Sequence, residues 1–299
     1  MQKTISKNPM SLPRFSKKTK IFTLGFLFIC VALIYQLVST EPEQGNLKVI
    51  VLDIGQGDAI FIESPSGNQV LVDGGPTSQI LQRLGEVMPF YDHSIDFVIL
   101  THPHSDHVVG LVDVLKKYEV GKILYNKVNY DSGDYREFIS IIEQNNIATE
   151  PVFESKKLDL GDGVLISFLY PDNDISGKEF ENVNNSSIVF RLDYGKDSFL
   201  LTGDAEKEVE EEMISSGDYL NIDILKVGHH GSKSSSTEEF LDITSPDKAV
   251  ISCGLDNKFK HPHKETLDKL EKRGIETYRT DEDSDITFIS DGSGVRVLK

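Results

Sequence analysis

The segment Thr101-His102-Pro103-His104-Ser105-Asp106-His107 places three imidazoles and a carboxylate within seven residues, directly after the apolar run Phe97-Val98-Ile99-Leu100. Such an uninterrupted apolar run reads as a buried strand, so the polar cluster must emerge at the edge of a sheet. His102 and His104 stand two apart; on an extended chain end they face the same way and can chelate one ion. Asp106 and His107 fall where a helix begins and can address a second ion beside the first. Imidazole nitrogen and carboxylate oxygen suit zinc and similar divalent metals. The fold must therefore bring a strand end, a helix start and further ligands together at one edge.

Later strand ends supply those ligands. Leu200-Leu201-Thr202-Gly203-Asp204 is an apolar strand closing on a glycine and a carboxylate. Asp204 there can bridge two cations; the competing reading makes it the cap of a helix starting near Ala205. Lys226-Val227-Gly228-His229-His230-Gly231-Ser232 carries two adjacent imidazoles in a Gly-flanked turn. One can complete a metal shell while the other hydrogen-bonds or protonates a bound oxyanion. The residues leave open which does which; the assignment adopted gives the metal to His229 and the catalytic role to His230, with Asp106 sharing it. Asn257, His261 and His263 lie in a polar loop, with Pro262 near the start of the next helix.

Two glycine turns, Asp53-Ile54-Gly55-Gln56-Gly57-Asp58 and Val72-Asp73-Gly74-Gly75, imply close backbone approach beneath the metal loop. Asp53, Asp58 and Asp73 read as mainly structural, although Asp73 can orient a ligating histidine through its free N–H. Neither turn continues into Gly-Lys-Ser/Thr, which argues against a phosphate-binding loop.

Short β-rich runs at 47–54, 59–63 and 69–72 precede a helix at 78–86, the strand ending at Leu100 and a helix at 108–117. The second half repeats this plan. Strands at 186–192 and 198–201 lead to a helix at 205–214. A strand at 223–227, a helix at 238–243, a strand at 248–252 and a helix at 264–273 follow. Two sheets with helices on their outer faces satisfy that order, with the metal site between the halves.

The first 20 residues contain six basic groups and no acid, and residues 21–38 carry no charge at all. These eighteen residues, of which only Thr23 and Gln36 are clearly polar, just suffice to cross a bilayer. The basic flank before them, and Glu41 and Glu43 after, put the N-terminus in the cytoplasm and the body outside. A cleaved signal peptide is the rival reading, against which the long apolar stretch and the weak Leu37-Val38-Ser39 site argue. Residues 39–46 read as a polar linker. The two cysteines, Cys30 and Cys253, both lie in apolar runs and form no disulfide framework. Beyond residue 38 stand 25 basic against 48 acidic groups, a charge near −23. Such a body repels polyanions and excludes indiscriminate nucleic-acid binding.

The segment His102-x-His104-x-Asp106-His107 resembles the metal motif of the metallo-β-lactamase-fold hydrolases. Six further segments occur in order with it: Asp53-Ile-Gly-Gln-Gly-Asp58-Ala59, Val72-Asp73-Gly74-Gly75, Asn184-Asn-Ser-Ser187, Leu201-Thr-Gly-Asp204, Val227-Gly-His-His-Gly-Ser232 and Asn257…His261-Pro-His263. The series, over residues 47–299, resembles the extracytoplasmic hydrolase domain of ComEC-type competence proteins. That resemblance implies an α/β, four-layer αββα sandwich and two divalent ions, zinc or alternatively manganese. It places His102 and His104 on one ion, Asp106 and His107 on the other, Asp204 between them, and His229 or His230 on the second. Many members of the wider fold place another histidine between the first cluster and the bridging Asp; Asn184-Asn185-Ser186-Ser187 stands there instead, as in the ComEC-type proteins, which leaves the first ion one protein ligand fewer. Ser186, with Asp73, Asn257, His261 and His263, is a candidate for ligand support or substrate contact. The family's Asn-x-Tyr-Gly-His-Pro appears here as Asn257-Lys258-Phe259-Lys260-His261-Pro262, which alters the contacts near His261.

The expected protein is a stand-alone, single-pass hydrolase of a bacterial cell membrane, with its catalytic body outside. Its two ions, about 3.5 to 4 Å apart, would share and activate a water, the geometry of two-metal hydrolysis. The expected substrate is a phosphodiester in nucleic acid or a surface polymer. A surface phosphocholine esterase is the nearest alternative, and a non-catalytic metal-binding tether the alternative of another class. No protein partner is inferred.

Overall fold

Residues 16–38, 45–217 and 220–299 are described by the computed structural model, and the chain divides into two compact units, 1–44 and 45–299. In the first unit, α1 (Lys17–Val38) runs for 22 residues. Its apolar side chains are exposed on every side, Phe22 by 83% and Phe28 by 76%. The expected span at 21–38 falls on this helix, whose side chains are described as far as Ala32. Among the described residues no helix is long and apolar enough to cross a membrane. Most of the expected basic segment and of the linker lies outside the described residues.

In the second unit, continuous apolar runs become strands buried on both faces, and amphipathic runs become the helices that cover them. The first sheet contains β1 (Leu47–Val51), β2 (Ile60–Glu63), β3 (Gln69–Val72), β4 (Ser94–Leu100), β5 (Glu119–Tyr125) and β6 (Ala148–Glu150). The second contains β7 (Lys157–Asp159), β8 (Val164–Tyr170), β9 (Val189–Tyr194), β10 (Asp197–Leu201), β11 (Ile224–Lys226), β12 (Lys248–Ile251) and β13 (Glu276–Arg279). The last two strands, β14 (Ile286–Ser290) and β15 (Val295–Leu298), return to the first sheet, whose order is β15-β14-β1-β2-β3-β4-β5-β6; the second runs β13 to β7 in descending order.

Strand periodicity assigns the layers. Ile60 and Ile62 point between the sheets, where they meet Phe168, Phe190, Phe199 and Phe288. Phe61, between them in sequence, points outward with Leu71 onto α2 (Gln79–Val87), α3 (Ser105–Lys117) and α4 (Gly133–Asn145) through Ile80, Leu111 and Phe138. Across the molecule Leu200, Leu225 and Ala249 pack on α5 (Lys207–Ser216), α6 (Glu238–Thr244) and α7 (Lys264–Lys272). These are the four layers the resemblance implied. Each fully buried large apolar side chain contributes about 1.5–3 kcal/mol.

Two differences from the sequence reading matter. The sequence reading ends at the helix 264–273, whereas strands follow it and β14 returns to the first sheet, pairing antiparallel with β1, Leu47 opposite Ser290 and Val51 opposite Ile286. This contact spans nearly the whole body, so local patterning carries no trace of it. And α5 begins at Lys207 with Glu206 as its cap residue, which removes Asp204 from the capping role.

The strands β3, β4 and β5 are parallel, as are β10, β11 and β12. Their C-terminal ends therefore share one edge, where the polar motifs emerge. Gly57, at φ 141°, makes the join possible: a Cβ there would lie 2.2 Å from the Asp106 carbonyl oxygen. The same carbonyl accepts the Asp58 N–H at 3.2 Å.

Candidate metal centre

Asp204 is the centre of the site. It follows β10 through a left-handed Gly203, φ 51°, and its backbone N–H is held by Ser187 Oγ at 3.1 Å. Its Oδ2 lies 3.3 Å from Nε2 of His107 and 3.3 Å from Nε2 of His230. Nε2 of His102 and of His229 are each 3.9 Å away. One carboxylate thus addresses four imidazoles, and its Oδ1 has no hydrogen-bond partner although buried.

The outer nitrogens of these rings are fixed from behind. Asp73 accepts the His107 Nδ1–H at 2.8 Å and is itself held by the Thr101 N–H and hydroxyl. Because the Thr101 hydroxyl donates to Asp73, its lone pair faces His102 Nδ1 at 3.1 Å. His230 Nδ1 donates to the Ser252 carbonyl at 2.9 Å and lies 3.3 Å from Asp58. With Nδ1 occupied, each of these rings in its neutral form would present an Nε2 lone pair inward. Nε2 of His107 and of His230 are buried without a partner, and His102 Nε2 faces His104 Nδ1 at 3.1 Å.

Asp106, His107, Asp204 and His230 bring ligand atoms within 4.8 Å of one another. Buried polar atoms left unpaired are rare and costly, and here several converge on one point. A divalent cation satisfies them together, so the donor set fits a metal; beside it lies His102, its Nε2 3.9 Å from Asp204 Oδ2 and 3.1 Å from His104 Nδ1.

Charge agrees with this. Burial alone would raise the Asp204 pKa, but His230 and His107 hold it well below the usual carboxylate range. Asp106 is likewise held low against burial, by His230 and His107. Burial would lower His107 and His230, yet Asp204, with Asp73 and Asp58 respectively, raises both well above the ordinary value. Burial and the neighbouring His107 push His102 well below it. Without cations the carboxylates thus draw protons onto the very rings that would otherwise bind metal.

The expected division between the adjacent histidines is reversed in the geometry. His230 joins the ligand group, whereas His229 turns aside, its Nδ1 3.0 Å from Glu206 Oε1. Both residues are left-handed, φ 47° and 53°, a strained pair that aims neighbouring rings at different parts of one site. Glu206, to which Asn184 also donates at 3.0 Å, is itself drawn to a pKa of about 2, burial opposing but His229 and Asn184 prevailing.

Other candidates separate clearly. His261 lines the cavity above the ligands, as do Gln56, Tyr130 and Phe259, around a volume of about 300 Å³. Burial and the nearby His230 and His229 lower the His261 pKa to about 4. Asn257 braces its loop, donating to the Gly254 and His261 carbonyls at 2.8 and 2.5 Å. His263 accepts the Lys233 N–H at 3.0 Å and lies outside the cavity lining. Ser186, buried, donates to the Val183 carbonyl, and it is the neighbouring Ser187 whose Oγ accepts the Asp204 N–H.

Sequence reading passed over Tyr130, Glu206 and Lys226. Tyr130 sits in a loop with no motif around it. Glu206 follows Asp204 by two residues, the one local hint of it. Lys226, 3% exposed, ends β11 and reaches Asp58 Oδ2 at 2.6 Å and the carbonyls of Gly203 and Val227 at 3.3 and 3.1 Å. Asp58 belongs to the first sheet's turn and Gly203 to the second sheet, so this ammonium fastens the two halves beneath the ligands.

Residues 52–255 match the model of the metallo-beta-lactamase superfamily. ComE operon protein 3 of Bacillus subtilis is 32% identical over 272 residues, 85% of this chain and 34% of that protein. Recombination protein 2 of Haemophilus influenzae is 30% identical over 260 residues, 84% of this chain and 29% of the relative. These relatives are competence proteins of the ComEC type, and the chain spans about a third of their length. The metallo-beta-lactamase fold protein YhfI of Bacillus subtilis has a similar structure, with a TM-score of 0.54 at 14% identity, covering 82% of this chain and 100% of that one.

Proposed function

Because this chain belongs to the metallo-beta-lactamase superfamily, we propose that it is a metal-dependent hydrolase of phosphodiester bonds. The observation that carries the reading is Asp204, a single buried carboxylate within 4 Å of four imidazoles. In this reading Asp106, His107, Asp204 and His230 hold one ion, and His102, His104 and Asp204 the other. The relatives are competence proteins, which favours nucleic acid as substrate. The Tyr130 and Phe259 rings beside the cavity keep a phosphocholine ester as the second reading, since aromatic faces suit a quaternary ammonium.

Zinc or manganese suits this nitrogen and oxygen set, and divalent cations there supply an activated water nucleophile and neutralise phosphoryl charge. The protein's own part is positioning and proton transfer. Asp73, Thr101 and Ser252 fix the ligand rings. Glu206 holds Nδ1 of His229, whose ring lines the cavity, so that His229 can give a proton to the departing oxygen.

We place the body outside a bacterial membrane, held by α1. The uncharged run 21–38 and the exposure of apolar side chains along it, such as Phe22 and Phe28, support that reading, since a segment apolar all round is normally buried in protein or in lipid.

The test is a substrate panel on the metal-loaded full chain: bis-nitrophenyl phosphate, single-stranded DNA, RNA, a phosphocholine ester and a β-lactam. Turnover of a phosphodiester is expected; two bound ions with no phosphodiester cleaved would overturn the reading. The adjacent histidines should separate in the same assay. His230→Ala is expected to lose metal, whereas His229→Gln should keep both ions and lose about 10² to 10⁴ in rate, the range for a removed general acid. Metal analysis beside kcat distinguishes the two.

A further inference from the structure

We propose that the edge of the first sheet opposite the metal centre is a membrane-docking surface, with Phe90 and Tyr91 entering the bilayer interface. The proposal rests on the membrane-anchor reading of α1 and adds where on the body the lipid surface lies.

Phe90 is 84% and Tyr91 67% exposed, and their rings meet edge to face at 5.3 Å. They sit on the turn between α2 and β4, and this turn is firmly built. Asp92 accepts from the Ser94 N–H and hydroxyl and from Gln69 Nε2 at 2.8 to 3.1 Å, and its own N–H closes the turn on the Pro89 carbonyl. The two rings are thus held largely out into solvent by a rigid support. Adjacent exposed aromatics of this kind favour a membrane–water interface, where an apolar ring and a polar tip are both accommodated.

Topology identifies the lipid surface as the occupant. Strand register brings Leu47, Glu63, Gln69 and Ser94 to one edge: Leu47 and Lys48 begin β1, Lys48 faces Glu63, and Glu63 faces Gln69. Gln69 in turn is bonded to Asp92 and Asp96 at the start of β4. The chain therefore enters the body at the edge that carries the aromatic turn, three strand spacings or about 15 Å away across the sheet. Nine peptide links separate Val38 from Leu47, a reach of about 30 Å at most. An anchored body cannot move this edge far from the bilayer. The metal ligands leave the other end of β4, about 20 Å along the strand, so the cavity opens away from the lipid. The body's surplus of acid argues against attraction to anionic headgroups; the rings, not charge, make the contact.

The chain contains no tryptophan, which makes a single introduced one a clean reporter. Tyr91→Trp in the full chain, reconstituted in phosphatidylcholine vesicles with brominated acyl chains, is expected to shift its emission to the blue and lose more than half of its intensity relative to unbrominated vesicles. Leu255→Trp, 74% exposed on the loop that leaves the C-terminal end of β12, should show neither effect. Vesicle-bound Tyr91→Trp protein whose introduced indole stays unquenched overturns the docking and leaves the anchor standing. A chain that does not co-float with vesicles overturns both. A blue shift that depends on protein concentration and not on bromine identifies a second copy as the occupant and also overturns the proposal.

Discussion

Asp204→Ala is expected to reduce bound metal from two ions to fewer than one and to abolish phosphodiester turnover, with the body still folded. Its carboxylate belongs to both proposed ligand sets and lies within 4 Å of four imidazoles, so its loss would take a ligand from each. Helix capping cannot account for such a result, because α5 starts three residues later and a lost cap costs only about 0.5–2 kcal/mol. Elemental analysis of the purified variant against wild type decides it: two ions retained would exclude the bridge. His107→Ala provides the contrast, since it should strip one ion and spare part of the other.

The second large effect belongs to a residue that touches no metal position. Lys226→Met should destabilise the metal-free body by about 3–5 kcal/mol, the cost of leaving a buried carboxylate without its partner. Asp58 is 2% exposed; burial alone would raise its pKa, but the Lys226 ammonium and His230 bring it down to about 2. An unfolded aspartate titrates near 3.9, so between these values the unfolded chain holds more protons. The stabilisation from the pair is therefore full above about pH 4 and declines as pH falls towards about 2. In the variant burial acts unopposed by the ammonium, and its deficit should shrink as acid neutralises Asp58. Urea unfolding of both proteins at pH 7 and pH 4 measures this. Adding Asp58→Asn should restore part of the loss, since neighbouring substitutions in one pair are not additive. An equal deficit at both pH values, or no restoration, would refute the pairing argument.

The parts of the site that sequence displayed are those whose chemistry and backbone lie close together. The segment from His102 to His107 states its own geometry, because a strand end and a helix start leave few ways to arrange two imidazoles and an Asp-His pair. Asp204 was legible for the same reason, a carboxylate behind an apolar run and a glycine. The roles of His229 and His230 were not, because two successive left-handed residues override the alternation that assigns neighbouring side chains to opposite faces. Lys226 looked like any strand-end lysine; its meaning depends on Asp58, 168 residues earlier. The layers of the fold followed from periodicity, whereas the crossing of β14 to β1 could not, since only tertiary pairing records it. Ser186 and Ser187 are adjacent hydroxyls of equal chemistry, and only the turn that presents one of them to Asp204 tells them apart.

That crossing bears on how the body comes into being. With β14 absent, β1 has a partner on one side alone, while its residues, buried on both faces, need a completed sheet. The first strand of the body thus waits for nearly the last, and closure of such a distant contact is intrinsically slow. Until then the sandwich is unfinished, and the histidines of the site, at 102–107 and at 229–230, are not yet held against one another. Delayed closure of this kind makes the cluster around Asp204 a late product of folding, so that any ion it takes up follows completion of the two sheets and does not guide it.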